Sequence, residues 1–353
     1  MAGDPDPTHR ILDANFNRSR EALRVLEECA RFVLDHQSLA GDFKTLRHEL
    51  ATLMRRLEAG AGLLAASRDT PGDVGTQLSN RGERTRNNIV EVVQANFKRL
   101  QESLRALEEY GKALDATIAE SFKQLRYQTY SLETACHRYL LHGEALQGPL
   151  MVILSIDGLD TPALEIVRAA RVTGTGLLQL RMKNCLVRKY IETARQVLAE
   201  LNGSGTRLLV NDRLDVAMAA GADGAHLGES DMPVALARRM LGGHAIIGAS
   251  TADIEHARQA AREGADYIGA GAAFATSGKE DAVVRGIEHI AAIQDKIDIP
   301  VFAVGGITLQ SLPDVAAAGL HHVAVGSDIV SAEDPRRRIE SYLTYFGGNQ
   351  AGI

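Results

Sequence analysis

Asp212 and Asp231 stand directly behind two short apolar runs, in the segments Asn211-Asp212-Arg213 and His226-Leu227-Gly228-Glu229-Ser230-Asp231. If those runs are adjacent parallel strands, their ends lie about 4.8 Å apart and the two carboxylates can share one cation. A donor set of two carboxylates without histidine or cysteine suits hard, oxygen-seeking Mg²⁺ rather than zinc. Positive charge gathers in comparable places: Gln179-Leu180-Arg181-Met182-Lys183 closes one apolar run, and Phe274-Ala275-Thr276-Ser277-Gly278-Lys279 follows another. Arg181, Lys183 and Lys279 are the groups that a diphosphate held on Mg²⁺ requires around its oxygens. Gly248-Ala249-Ser250-Thr251, Gly305-Gly306-Ile307 and Gly326-Ser327 complete the set; glycines there let backbone N–H groups approach a second phosphate. Each piece alone has a plainer reading. Asp212 could cap a helix starting at Leu214, Asp231 one containing Pro233, Arg181 and Lys183 could be solvated loop charges, and Gly305-Gly306 a tight turn. Their joint arrival behind successive apolar runs favours chemistry over punctuation.

The elements that position these residues are legible as a rhythm. The apolar runs Leu150–Ile156, Leu177–Arg181, Arg207–Asn211, Gly224–Leu227, Ala245–Gly248, Tyr267–Gly271, Val301–Val304 and His322–Val325 alternate with helix-like stretches such as Ala163–Arg171, Ile191–Leu201, Val234–Leu241, Ile254–Glu263 and Ile287–Ile297, the last being roughly Pro335–Tyr345. Continuous Val/Ile/Leu/Ala runs suit parallel strands buried on both faces. Eight βα units in about 200 residues predict a (β/α)8 TIM barrel, whose working residues gather at the C-terminal ends of the strands.

The first half keeps a different rhythm. Leu12, Phe16, Leu23, Leu26 and Val33 follow the three- and four-residue steps of an amphipathic helix, as do Val93, Phe97, Leu100, Leu104, Leu107 and Leu114. Ala14-Asn15-Phe16 recurs as Ala95-Asn96-Phe97, and Arg18, Glu21, Leu23, Arg24, Leu26, Glu27 and Glu28 recur 81 positions on. Phe43-Lys44 and Leu46-Arg47 recur as Phe122-Lys123 and Leu125-Arg126. The near-constant offset predicts a duplicated helical hairpin packed about a pseudo-twofold, interrupted by a loop at Arg68–Thr76. The expected organisation is an α/β class chain: an all-helical domain over 1–142, a linker over 143–149 and the barrel over 150–346.

The bulk numbers exclude several classes. A net charge of -6 supplies no basic footprint for nucleic acid or an anionic membrane. No apolar run approaches the ~20 residues of a membrane span, and MAGDPDPTHR carries no hydrophobic signal core. Cys29, Cys136 and Cys185 are few, far apart and odd in number, which fits a reducing cytoplasm and no zinc site. Small-molecule substrates are the expected partners, with a homo-oligomer open.

In order across 150–346, the segments Gln179-Leu180-Arg181-x-Lys183, Asn211-Asp212-Arg213, His226-Leu227-Gly228-Glu229-x-Asp231, Ile247-Gly248-Ala249-Ser250, Phe274-x-Thr276-x-x-Lys279, Gly305-Gly306-Ile307 and Val325-Gly326-Ser327 resemble the motifs of the thiamin-phosphate synthase family. The resemblance implies coupling of hydroxymethylpyrimidine diphosphate to hydroxyethylthiazole phosphate. It implies a dissociative course in which diphosphate leaves first and the thiazole nitrogen captures the pyrimidinyl methylene cation. It also implies Mg²⁺ on Asp212 and Asp231, the pyrimidine diphosphate on Arg181, Lys183, Asn211, Ser250 and Lys279 with help from Gln179, and the thiazole phosphate beside Thr276, Gly306 and Ser327. The sequence departs from the family pattern at Glu229 (usually Gln), Ala272 and Ala275 (commonly Pro), Gly278 (often Thr) and Gly326 (usually Val), none of which removes a charged group. The helical half is similar to an extension on some members. It reads as a docking or dimerisation bundle, with Asn15, Arg18, Asn96 and Arg99 as the alternative, a second ligand set. Two rivals stand beside the synthase: a thiazole tautomerase, weakened by Ala252 where a histidine base is needed, and a binding protein with a decayed barrel, weakened by the intact charged set.

Overall fold

Apolar residues recurring every three to four positions give the first half four long helices: α1 (Pro7–Phe32), α2 (Gln37–Ala61), α3 (Ile89–Gly111) and α4 (Ala116–Gln147). The computed structural model describes residues 7–34, 36–61, 64–67, 86, 88–276 and 283–349, and the expected loop at Arg68–Thr76 lies outside them. The chain divides into two units, Met1–Leu140 and Leu141–Ile353.

In the first unit α1 packs on α3 through matching stripes, with Ser19 Oγ and Ser103 Oγ 2.7 Å apart between them. The duplication persists at the level of single bonds. Arg47 of α2 binds the buried Glu27 of α1 at 3.0 Å, and Arg126 of α4 binds the buried Glu108 of α3 at 3.0 Å, the same pairing at repeated positions. Val33 and Leu114 were expected to continue the stripes, yet both are exposed, because α1 and α3 end at Phe32 and Gly111. Asn15 and Asn96 are buried, but each amide donates to its own helix, at Ile11 O (2.9 Å) and Val92 O (2.8 Å), while Arg18 and Arg99 face solvent.

In the second unit eight parallel strands close in sequence order into a barrel: β1 (Leu150–Ser155), β2 (Leu177–Arg181), β3 (Arg207–Asn211), β4 (Gly224–Leu227), β5 (Ile246–Thr251), β6 (Tyr267–Gly271), β7 (Val301–Val304) and β8 (His322–Val325). They alternate with α5 (Thr161–Thr173), α6 (Val187–Leu201), α7 (Leu214–Ala220), α8 (Val234–Leu241), α9 (Ile254–Arg262), α10 (Ile287–Gln294), α11 (Leu312–Ala317), α12 (Ser327–Val330) and α13 (Pro335–Asn349). Among the strands the one large shift from expectation is β5, which runs on to Thr251 instead of stopping at Gly248. Ser250 and Thr251 pair with Gly269 and Ala270, so Ser250 is a strand residue and not a loop residue.

Side chains on a strand alternate between faces. One set, including Val152, Leu178, Leu180, Leu208 and Val210, packs outward against the helices. The other set, Met151, Leu177, Leu209, Ile246, Tyr267, Phe302 and Ala324, fills the lower barrel interior. Gly248 sits where the Tyr267 ring crosses that interior; a Cβ there would lie 2.0 Å from the ring, so only glycine fits. Ala145 and Leu146, from the last turn of α4, join this interior cluster. Residues 143–147 are therefore helix, where a linker was expected. Burying Leu146 is worth about 1.5–3 kcal/mol, which outweighs the ~1 kcal/mol that a mid-helix Gly143 costs.

The starts of β5 and β6 are lashed together by one buried ion pair. Asp266, fully buried, accepts from Arg238 at 2.6 Å and from Ile247 N at 2.7 Å. Arg238 in turn donates to Gly264 O and Ala245 O. Among the described residues no helix is long and apolar enough to cross a membrane.

Removing one partner of such a pair strands a charge away from water. Asp266→Ala should destabilise the barrel by about 3–5 kcal/mol, whereas Glu340→Ala, which breaks an exposed pair with Arg336, should cost under ~1 kcal/mol. Urea unfolding of both variants checks this; equal midpoints would show that the pair does not hold the strand starts.

Candidate active site

Because faces alternate every two residues, the inward positions that continue upward from Leu177, Leu209 and Ile246 are Gln179 and Arg181, Asn211, and Gly248 and Ser250. His226 joins them through its register with Asn211 and Gly248. Six residues from four strands thus line the barrel interior up to its C-terminal mouth, where this architecture places its chemistry.

Asp212 and Asp231 meet there. Neither serves as a helix cap: α7 is preceded by Arg213 and α8 by Pro233, and neither helix has a side-chain cap bond. Asp212 takes a left-handed backbone (φ 62) just past β3, a conformation that Asp and Asn tolerate better than most residues. Its N–H still donates to His226 O at 2.8 Å, so the strand pairing is kept while the side chain turns aside. Asp231 is anchored differently, its Oδ2 accepting Gly228 N at 2.7 Å across a tight turn. Burial, and then the adjacent Asp231 carboxylate, push the Asp212 carboxyl up to about 6, while Arg181 and Lys183 act in the opposite direction. Two acids facing each other beneath two cations is a donor set short of positive charge. No cluster of three or more potential His, Cys, Asp or Glu ligands occurs among the described residues. A cation here would draw its other oxygens from substrate and water, the pattern of Mg²⁺ on phosphates. The residues fit Mg²⁺.

The cations and the pair are held by distinct means. Arg181 Nη1 donates to Ser155 Oγ of β1 at 3.1 Å, and Lys183 is exposed just beyond the strand end. The buried Tyr190 of α6 donates its hydroxyl to Leu180 O (2.7 Å) and reaches Asn211 O (3.3 Å), tying the ends of β2 and β3 together beneath Arg181 and Asp212. Glu229, the residue that departs from the family glutamine, accepts Ala252 N at 2.8 Å and so links the loops after β4 and β5. A glutamine carbonyl can make the same bond, which accounts for the exchange.

On the far side, the loop after β6 is laced to β7: Ala273 N donates to Val304 O at 2.9 Å and Phe274 N to Gly305 O at 3.0 Å. Gly306 (φ 65) touches that loop so closely that a Cβ would lie 2.3 Å from Ala275 O. Thr276 and Gly306 are thereby brought near each other in the chain's course. Ser327 begins α12, which is fastened by Asp328 to Arg338 (2.7 Å) and Tyr342 (2.7 Å) of α13. Lys279 and Gly278 fall in 277–282, outside the described residues.

Two residues without an assigned role from the sequence complete the interior. His226 contacts Tyr267 Oη through Nδ1 and Ser250 Oγ through Nε2, each at 2.8 Å. Burial lowers the imidazole to about 4, so it is neutral at physiological pH. His226 was visible within its motif; Tyr267 carried no signal beyond a β-forming aromatic at a strand start.

Comparison with known proteins bears on the same residues. Residues 150–329 match the family model described as thiamine monophosphate synthase, and residues 10–135 match the model of the ThiD2 family. The thiamine-phosphate synthase of Nostoc punctiforme is 41% identical over 327 residues, covering 93% of this chain and 91% of that protein. That of Thermosynechococcus vestitus is 40% identical, covering 97% and 96%. Among solved structures, the thiamine phosphate pyrophosphorylase from Pyrococcus furiosus is 36% identical with a TM-score of 0.51, covering 58% of this chain and 98% of its own. A barrel of this topology, a rim of this composition and relatives similar across both units lead to one conclusion: the chain belongs to the thiamine-phosphate synthase family, transferases of thiamine biosynthesis.

Proposed function

We propose that the barrel joins hydroxymethylpyrimidine diphosphate to hydroxyethylthiazole phosphate by a dissociative substitution, with Mg²⁺ on Asp212 and Asp231. The observation that carries this reading is the opposed carboxylate pair beneath Arg181 and Lys183. In the reaction the bond between the pyrimidine methylene carbon and the diphosphate oxygen breaks, and a bond from the thiazole nitrogen to that carbon forms. No proton transfer or protein nucleophile is needed. Bound Mg²⁺ would neutralise charge on the departing diphosphate. Arg181, Lys183 and Lys279 act on the same oxygens, and because the leaving group gains charge as the bond stretches, they favour the transition state over the ground state. Asn211, Ser250 and Gln179 position the pyrimidine diphosphate. Thr276, Gly306 and Ser327 hold the thiazole phosphate, supported by the lacing of the β6 and β7 loops. We assign the helical unit to assembly of a homo-oligomer, not to chemistry, since Asn15 and Asn96 both donate to their own helices and Arg18 and Arg99 face solvent, while Asn96 Oδ1 stays without a partner among the described residues. The three unbridged cysteines support a cytoplasmic setting.

Asp212→Asn tests the metal assignment and the strain in the pair together. Asparagine keeps the left-handed backbone that alanine would strain, so loss of Mg²⁺-dependent turnover reports on charge alone. In metal-free buffer the variant should melt higher than the parent. The Asp212 carboxyl titrates near 6 when folded against 3.8 as a free group, so the folded state holds the extra proton between those values and loses relative stability as pH rises through them. The advantage of the variant should grow from about pH 4 and be full above pH 6, and added Mg²⁺ should raise the parent's melting temperature only. Full activity in Asp212→Asn at low Mg²⁺ would remove Asp212 from the metal.

Lys279→Ala should lower kcat with little change in thiazole KM, because its charge matters most as diphosphate departs. A raised thiazole KM at unchanged kcat would move Lys279 to the other substrate.

A chain beginning at Leu141, which keeps the Ala145-Leu146 plug, should turn over at a rate comparable to the full chain while showing a smaller mass in solution. A folded but inactive barrel, restored by adding the helical unit, would show that the unit completes the site.

A further inference from the structure

The barrel interior holds a continuous file of neutral polar groups leading from its buried centre to the mouth. Gln179 is buried on β2 beside the Tyr267 hydroxyl. Tyr267 Oη lies 2.8 Å from His226 Nδ1, and His226 Nε2 lies 2.8 Å from Ser250 Oγ. The bonded file crosses three strands, β6, β4 and β5, with Gln179 of β2 at its inner end. Two inward glycines make room for it: a Cβ at Gly248 would enter the Tyr267 ring, and one at Gly269 would lie 3.0 Å from the His226 ring.

We infer that this file is a one-way donor relay that holds Ser250 as a hydrogen-bond donor toward the leaving diphosphate, with Tyr267 and His226 as its positioning residues. The inference rests on the assignment of Ser250 to the diphosphate made above. Its direction follows from counting protons. A neutral imidazole carries one N–H and one bare nitrogen. A diphosphate oxygen only accepts, so a serine serving it must give its own proton outward and can only accept from the histidine. Nε2 must then carry the imidazole proton, Nδ1 must be bare, and the Tyr267 hydroxyl must donate to it. The alternative acceptor for that hydroxyl, Met151 Sδ, is 4.0 Å away and is a thioether, a far weaker partner. Every link is satisfied in this one direction. In the reverse direction Ser250 gives its proton to the histidine and presents bare lone pairs to an anion, which repels it. Without ligand the same direction holds, because His226 Nδ1 is the one strong acceptor within reach of the Tyr267 hydroxyl, so no reorganisation accompanies departure of the diphosphate.

The tautomer is directly readable. Histidine labelled with ¹⁵N, with His226→Gln used to assign one residue among the 11 histidines, should show His226 with Nε2 protonated and Nδ1 bare in the ligand-free protein. It should stay so on adding Mg²⁺ and inorganic diphosphate. A protonated Nδ1 in both states overturns the relay, as does a tautomer that switches on adding diphosphate. Kinetics supply a second reading through a double-mutant cycle. Tyr267→Phe keeps the ring and its packing, and should lower kcat about tenfold with thiazole KM unchanged. In a Ser250→Ala background the same substitution should have no further effect beyond about twofold. Losses that multiply would show that Tyr267 acts through packing alone, and the relay falls. If Ser250→Ala itself turns over like the parent, the assignment of Ser250 to the diphosphate fails, and the tautomer alone decides whether the file is oriented.

Discussion

Two carboxylates facing one another in a half-buried mouth are the constraint around which the barrel is arranged. Left alone, Asp212 and Asp231 repel, and burial makes the repulsion worse; the raised Asp212 carboxyl records both effects. A fold keeps such a pair only by fixing each acid through bonds that do not involve the other. Asp212 is held by its left-handed backbone and by the N–H that still reaches His226 O. Asp231 is held by a turn that ties its carboxylate to Gly228 N. Under the proposed function, Mg²⁺ would relieve that repulsion, so the cost to folding and the affinity for the cation would be the same quantity seen from two sides.

The rest of the mouth follows from that arrangement. Arg181 and Lys183 lie near the acids without pairing with them. Arg181 is drawn aside by Ser155, and Lys183 extends into solvent. Tyr190 sets the spacing of the two strand ends from behind, through carbonyl oxygens and not through the charged groups themselves. Below the charges, the neutral file from Gln179 to Ser250 continues the inward faces of the strands. Below that, a hydrophobic plug that includes Leu146 closes the barrel. Charge, neutral polarity and apolar packing are thus stacked along the barrel axis, each layer supplied by every second residue of the strands.

The helical unit is organised by a different economy. Its two hairpins repeat not only apolar positions but also the Glu27–Arg47 and Glu108–Arg126 pairs, which fix how each second helix lies on its first. Small residues at the crossing of α1 and α3 let Ser19 and Ser103 touch. The symmetry ends there. Ser103 corresponds by the repeat to Ala22, so a polar contact across the pseudo-twofold is made once and not twice.

Sequence alone determined the barrel, its strand order and nearly all its strand boundaries, because continuous apolar runs, glycine punctuation and helix periodicity are local properties of the chain. It also singled out Asp212, Asp231, Arg181 and Lys183, since Asp, Arg and Lys behind strand ends announce themselves by type. It did not determine which faces of those residues meet. The opposition of Asp212 to Asp231 depends on one positive φ and one tight turn, and the extension of β5 to Ser250 depends on pairing with β6. The linker reading failed at 143–147 because Gly143 argues locally for a break, while the burial that overrides it comes from strands far along the chain. Tyr267 was invisible for the same reason: an aromatic at a strand start is ordinary until the closed barrel aims its hydroxyl at a histidine 41 residues away. Residue types are written in the chain, but a shared proton or a shared cation needs atoms within about 3 Å, and only closure of the barrel brings them there.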